Sequence, residues 1–109
     1  MPVFRACFRN DDETIESLNI MVHVNIEVFG LVQRIGFRYS AMEAASQMNI
    51  TGFVKNMTDG SVYIEAEGEE KNIESFISWC HHGPPWARVD NIIVKKTTMQ
   101  GFKSFEIKR

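Results

Sequence analysis

The sequence predicts an α+β sandwich: an antiparallel sheet with two helices on one face, in the order βαββαβ, followed by a short terminal strand. Three observations predict it. Val22, Val24, Ile26 and Val28 alternate with His23, Asn25, Glu27 and Phe29, and Val62, Ile64 and Ala66 alternate with Tyr63, Glu65 and Glu67. That period of two marks strands with one buried face. Two other stretches, Phe37–Ala41–Ala44–Ala45–Met48 and Ile73–Phe76–Ile77–Cys80, repeat at helical spacing.

Each element has its own punctuation. The first helix follows a glycine-containing loop, carries small alanines that allow close packing on a sheet, and ends near Asn49. Residues 51–57 read as the second strand, and Asp59-Gly60 as the tight turn into the third. The second helix opens with Glu69 and Glu70, as the helix dipole favours, and is stopped by Gly83 and the Pro84-Pro85 pair. Residues 88–97 form a fourth strand and 104–108 a short fifth. This is the split βαβ, ferredoxin-like plan.

The predicted domain is 21–109, preceded by an N-terminal extension, 1–20. In that extension Asn10, Asp11, Asp12 and Glu13 suit the cap of a short helix carrying Ile15 and Leu18. A second reading starts the domain at Met21 and leaves 1–20 as an upstream extension without function.

Composition narrows the function. The 109 residues, 44% hydrophobic and 24% charged, suit one globular domain with a modest core. The net charge of −2 lies in residues 1–20, and the domain itself is neutral. A neutral domain lacks the basic excess of a nucleic-acid binder. Tyr63, Glu65 and Glu67 are expected on the exposed face of the third strand, where two carboxylates would repel an RNA backbone. No apolar run is long enough for a membrane span, and the N-terminus lacks a secretory core, so the expected setting is the cytoplasm. Cys7 and Cys80 are too few for a disulfide framework. Cys80, His81 and His82 are consecutive, and neighbours on a helix do not face one another, so no metal site is expected. Trp79 and Trp86 read as packing residues.

The stretch Gly30-Leu31-Val32-Gln33-Arg34-Ile35-Gly36-Phe37-Arg38 joins the first strand to the first helix. Such a junction directs several backbone N–H groups into one concavity at the positive end of a helix, a site for phosphate. Arg38 can close on the same anion with its planar fork of donors. In a split βαβ unit the first and second strands run parallel, with the third between them. The loop and Asn56 therefore meet at one edge of the sheet.

The loop, together with Gly52-Phe53-Val54-Lys55-Asn56-Met57-Thr58-Asp59-Gly60-Ser61-Val62, resembles the acylphosphatase family. That family carries Gly-x-Val-Gln-Gly-Val-x-Phe-Arg and then Gly-x-Val-x-Asn-x-x-x-Gly-x-Val. The second block matches throughout. The first departs at Arg34, which stands where the family has glycine, and at Ile35, a minor change from valine. The resemblance covers about 21–109, including Gly83-Pro84-Pro85-Trp86-Ala87-Arg88-Val89.

The resemblance implies a hydrolase of acyl phosphates that needs no cofactor or metal, with a small-molecule substrate, no nucleic-acid or membrane partner, and a monomeric state. It implies Arg38 and Asn56 as the catalytic pair. It also implies a phosphate-binding loop of Gln33, Arg34, Ile35, Gly36, Phe37 and Arg38. The alternative is a catalytically weak or silent ferredoxin-like anion-binding module, its loop spoiled by Arg34. Arginine there is expected to strain the backbone, to point into solvent, or to supply a second cation.

Overall fold

The structure, a computed structural model, describes residues 20–109. The expected short helix near Ile15, and Cys7, lie outside the described residues. Five strands and two helices follow in order: β1 (Met21–Leu31), α1 (Phe37–Gln47), β2 (Thr51–Asn56), β3 (Val62–Glu69), α2 (Glu70–His82), β4 (Arg88–Thr97) and β5 (Phe105–Lys108).

The sheet order is β4-β1-β3-β2-β5. β3 lies between β1 and β2 and pairs antiparallel with both, placing Ile64 opposite Ile26 on one side and Val54 on the other. β1 and β2 are therefore parallel, and their C-terminal ends share one edge. The expected all-antiparallel sheet holds for β1 to β4. β5 departs from it, pairing parallel with β2 and setting Ile107 beside Val54, so the complete sheet is mixed. Its direction follows from the chain crossing back over the sheet after β4.

Alternation produces the core directly. Val22, Val24, Ile26 and Val28 are buried, and they pack with Phe37, Ala41, Ala44 and Ala45 of α1 and Ile73, Phe76, Ile77 and Cys80 of α2. α1 stops where Asn49 adopts φ 58, a left-handed conformation that asparagine tolerates. β3 runs into α2 without a loop, and the helix ends at Gly83, whose N–H donates to the Trp79 carbonyl at 2.8 Å. Gly52, at φ 141, lies so close to β3 that a Cβ would overlap the Glu65 carbonyl oxygen.

The opposite face holds one departure from expectation. Glu67 is not exposed: it is 2% accessible, beside His23 at 1%. The chain between β4 and β5 folds over them. Glu67 accepts N–H bonds from Gln100, Gly101 (3.0 Å) and Phe102 (3.0 Å), and its Oε2 lies 2.7 Å from His23 Nδ1. The Phe102 ring stacks on the His23 ring at 5.7 Å. Alternation alone does not reveal a segment that returns to cover a polar face.

Burial opposes ionisation of Glu67, but the hydrogen bonds from Gln100, His23, Phe102 and Gly101 outweigh it and hold the carboxyl below its ordinary value of 4.5. A lowered folded value contributes stability above the unfolded value that disappears as pH falls through the folded one. Denaturation midpoints measured against pH are therefore expected to fall below about pH 4.5. Glu67→Gln should flatten that acid limb and cost about 2–3 kcal/mol near neutrality, because hydrogen bonds to an ionised acceptor are lost. An unchanged acid limb would show that Glu67 does not supply it.

Candidate active site

The site begins with a change of local structure. At the end of β1 the register against β4 shifts between Phe29 and Gly30, and the chain turns out of the sheet. Two left-handed residues then steer it into α1: Arg34 at φ 66 and Gly36 at φ 80. Gly36 is the N-cap, and no side chain caps this helix. The first bond to close on the helix runs from Ser40 N–H to the Gly36 carbonyl at 3.0 Å. The N–H groups of Phe37, Arg38 and Tyr39 are thereby left without an intrahelical acceptor.

Hydrogen bonds to three other parts of the fold hold this loop and the start of α1. Gln33 Nε2 donates to the carbonyls of Met57 and Ser61, both at 2.8 Å, tying the loop to the β2–β3 hairpin. Trp86 Nε1 donates to the Ile35 carbonyl at 2.6 Å from the α2–β4 connection. Arg38 Nη1 donates to the Lys108 carbonyl of β5 at 3.2 Å. The hairpin is itself locked, since Asp59 Oδ1 accepts from the Ser61 N–H (2.9 Å) and Oγ (2.6 Å). These bonds from Ser61, side chain first and then backbone, hold the Asp59 carboxyl below its ordinary range.

A cavity of about 150 Å³ opens against the loop, lined by Arg34, Gly36, Arg38, Tyr39, Asn56 and Ile107 among others. The parallel ends of β1 and β2 thus bring Arg38 and Asn56 to one wall, as topology predicts. The Asn56 carboxamide oxygen is buried and has no hydrogen-bond partner among the described residues. Leaving such an acceptor unpaired costs about 1–3 kcal/mol.

The sequence-predicted residues divide by orientation. Phe37 is buried in the core, where its ring meets Trp79 at 5.4 Å, and Ile35 is half-buried against the same core. Phe37 is among the residues that line the cavity, whereas Ile35 and Gln33 are not. Gln33 serves the loop's position through its two bonds. Arg34 is exposed and makes no hydrogen bond or ion pair among the described residues, while Arg38 is half-buried.

Sequence reasoning missed two contributors. Trp86 reads as a packing residue in the sequence, yet it is 63% exposed and spends its indole N–H on the loop. Its place in the 83–89 stretch was the available signal. The Lys108 carbonyl left no signal, because any residue presents one. Cys80 faces the core, and burial pushes its thiol pKa up, while His81 and His82 are exposed at the helix end.

The acylphosphatase family model matches residues 24–107. The chain belongs to the acylphosphatase family. An acylphosphatase of Trichormus variabilis is 42% identical over 89 residues, covering 82% of this chain and 88% of that protein. One from Archaeoglobus fulgidus is 44% identical over 87 residues, covering 80% and 98%. The crystal structure of the Bacillus subtilis acylphosphatase superposes with a TM-score of 0.79 at 36% identity, covering 81% of this chain and 99% of that one. The chain is an enzyme of this type, and its family and relatives support acyl phosphate hydrolysis. No described helix is long and apolar enough to cross a membrane.

Arg34 is the position where a glycine would fit the backbone better. A side chain in the left-handed region costs about 1–2 kcal/mol, and the greater freedom of glycine in the unfolded chain returns about 0.4–1 kcal/mol of that. Arg34→Gly should therefore raise stability by about 0.5–1 kcal/mol, read from the denaturant midpoint. A lower midpoint would mean that the arginine contributes contacts that outweigh its backbone strain.

Proposed function

We propose that the cavity between the β1–α1 loop and the end of β2 hydrolyses acyl phosphates to carboxylate and inorganic phosphate, by in-line attack of water and without a metal ion. The observation that carries this reading is the convergence on one cavity of an uncapped helix start, Arg38 and Asn56. Each has a role the chemistry requires.

The loop and helix N–H groups cradle the phosphoryl oxygens, favoured by the positive end of α1. Arg38 neutralises charge as it spreads over those oxygens. Its bond to the Lys108 carbonyl positions it from one side and leaves the rest of the fork for the anion. Asn56 orients a water opposite the leaving group. The water oxygen bonds to phosphorus as the bond from phosphorus to the acyl oxygen breaks. The electron pair leaves with the carboxylate.

A carboxylate whose conjugate acid has a pKa of ~4 needs no general acid. The loose transition state of phosphoryl transfer rewards positioning and charge rather than a strong nucleophile. One arginine, one amide and a ring of N–H groups therefore suffice for this activated substrate, and would be poor for a stable phosphate ester. The reading extends to a monomer working in the cytoplasm, in keeping with a chain of two cysteines.

Turnover of an acyl phosphate should be the same with and without EDTA. Loss of activity in chelator, restored by Mg²⁺, would sink the metal-free mechanism. The two proposed catalytic residues should also separate. Arg38→Ala should weaken inhibition by inorganic phosphate and lower turnover by about 10³-fold, because it removes both binding and charge neutralisation. Asn56→Ala should lower turnover and leave phosphate inhibition largely intact. The reverse pattern would exchange their roles.

A further inference from the structure

We infer that Arg34 makes this site selective for acyl phosphates whose acyl group carries a second anionic group. The inference rests on the reading above, that the cavity takes acyl phosphates. Three observations carry it. Arg34 lines the same cavity as Arg38, and no carboxylate residue stands among the described residues that line it. The Arg34 guanidinium makes no hydrogen bond or ion pair among the described residues, so none of them neutralises its charge. Its backbone is left-handed at φ 66, so the arginine stands where the backbone alone favours glycine.

Depth then separates the two cations. Arg38 is half-buried, held from β5, and stands on the uncapped first turn of α1, whose N–H groups suit a phosphoryl group. Arg34 is exposed at the rim. An acyl group that extends from the cradle toward solvent passes Tyr39 and Ile107, which are exposed and line the cavity. A carboxylate or phosphate on that acyl group comes within range of Arg34, whose planar fork suits either. A neutral acyl group leaves Arg34 solvated and gains nothing.

Benzoyl phosphate and 4-carboxybenzoyl phosphate share the same anhydride and differ by one charge, so the ratio of their kcat/KM values isolates the rim. At low ionic strength the wild type should favour the carboxylated substrate by about threefold to fivefold, the scale of an exposed ion pair. The preference should shrink in about 0.5 M salt. Arg34→Gly should remove it, and Arg34→Lys should keep part of it. A wild-type ratio near one, or a ratio unchanged in Arg34→Gly, overturns the inference. Calorimetric titration with benzylphosphonate and 4-carboxybenzylphosphonate repeats the comparison without turnover. A binding preference that Arg34→Gly removes, with no hydrolysis of either acyl phosphate, would overturn the hydrolase reading and support the selectivity. Equal binding of the two phosphonates would overturn the selectivity even in an active enzyme.

Discussion

The loop between β1 and α1 is clamped from three directions, and the geometry of the site depends on that clamp. Gln33 holds it to the hairpin, Trp86 to the α2–β4 connection, and Arg38 to β5. Each clamp is a side-chain donor meeting a backbone carbonyl, so the loop's own N–H groups are not spent on holding the loop. Donors aimed at developing charge stabilise it only if they are already in place, because reorganising them during the reaction would cost what they contribute. Arg34 in the left-handed region makes this loop costly to hold, and the clamps offset that cost.

The sheet supplies the second requirement. Inserting β3 between β1 and β2 makes those two strands parallel and brings their ends to one edge. The distance between Arg38 and Asn56 along the chain then becomes irrelevant, since the sheet edge brings both to the same cavity. The hairpin after Asn56 does more than reverse the chain. Asp59 fixes Ser61, and the Ser61 carbonyl receives Gln33, so a turn at one end of β2 helps to set the loop at the end of β1.

The buried pair His23 and Glu67 lies across the sheet from the helices, yet it belongs to the same scheme. Glu67 anchors residues 100–102, and this segment leads into β5, whose Lys108 carbonyl receives Arg38. An ionised carboxylate accepting several backbone N–H groups fixes an irregular segment more firmly than apolar contact alone, because each bond has a direction. The entry of β5 into the sheet, and with it one support of Arg38, thus connects to a buried charge on the opposite face.

By itself the sequence determined the elements and their order, because alternation in β1 and β3 and helical spacing in α1 and α2 are local patterns that burial enforces. It also placed Arg38 and Asn56 together, because they stand in two blocks that the split βαβ order carries to one edge, and both line one cavity. Only the tertiary structure decided the rest. Glu67 alternates like an exposed residue, and it is buried because a distant segment folds over it. Trp86 reads as packing, and its indole serves the loop because the α2–β4 connection returns there. β5 is parallel, and the Lys108 carbonyl that meets Arg38 belongs to a main chain every residue shares. Residue identity encodes which backbone states and faces a segment prefers, whereas which distant backbone group lies opposite a side chain is set only when the whole chain has packed.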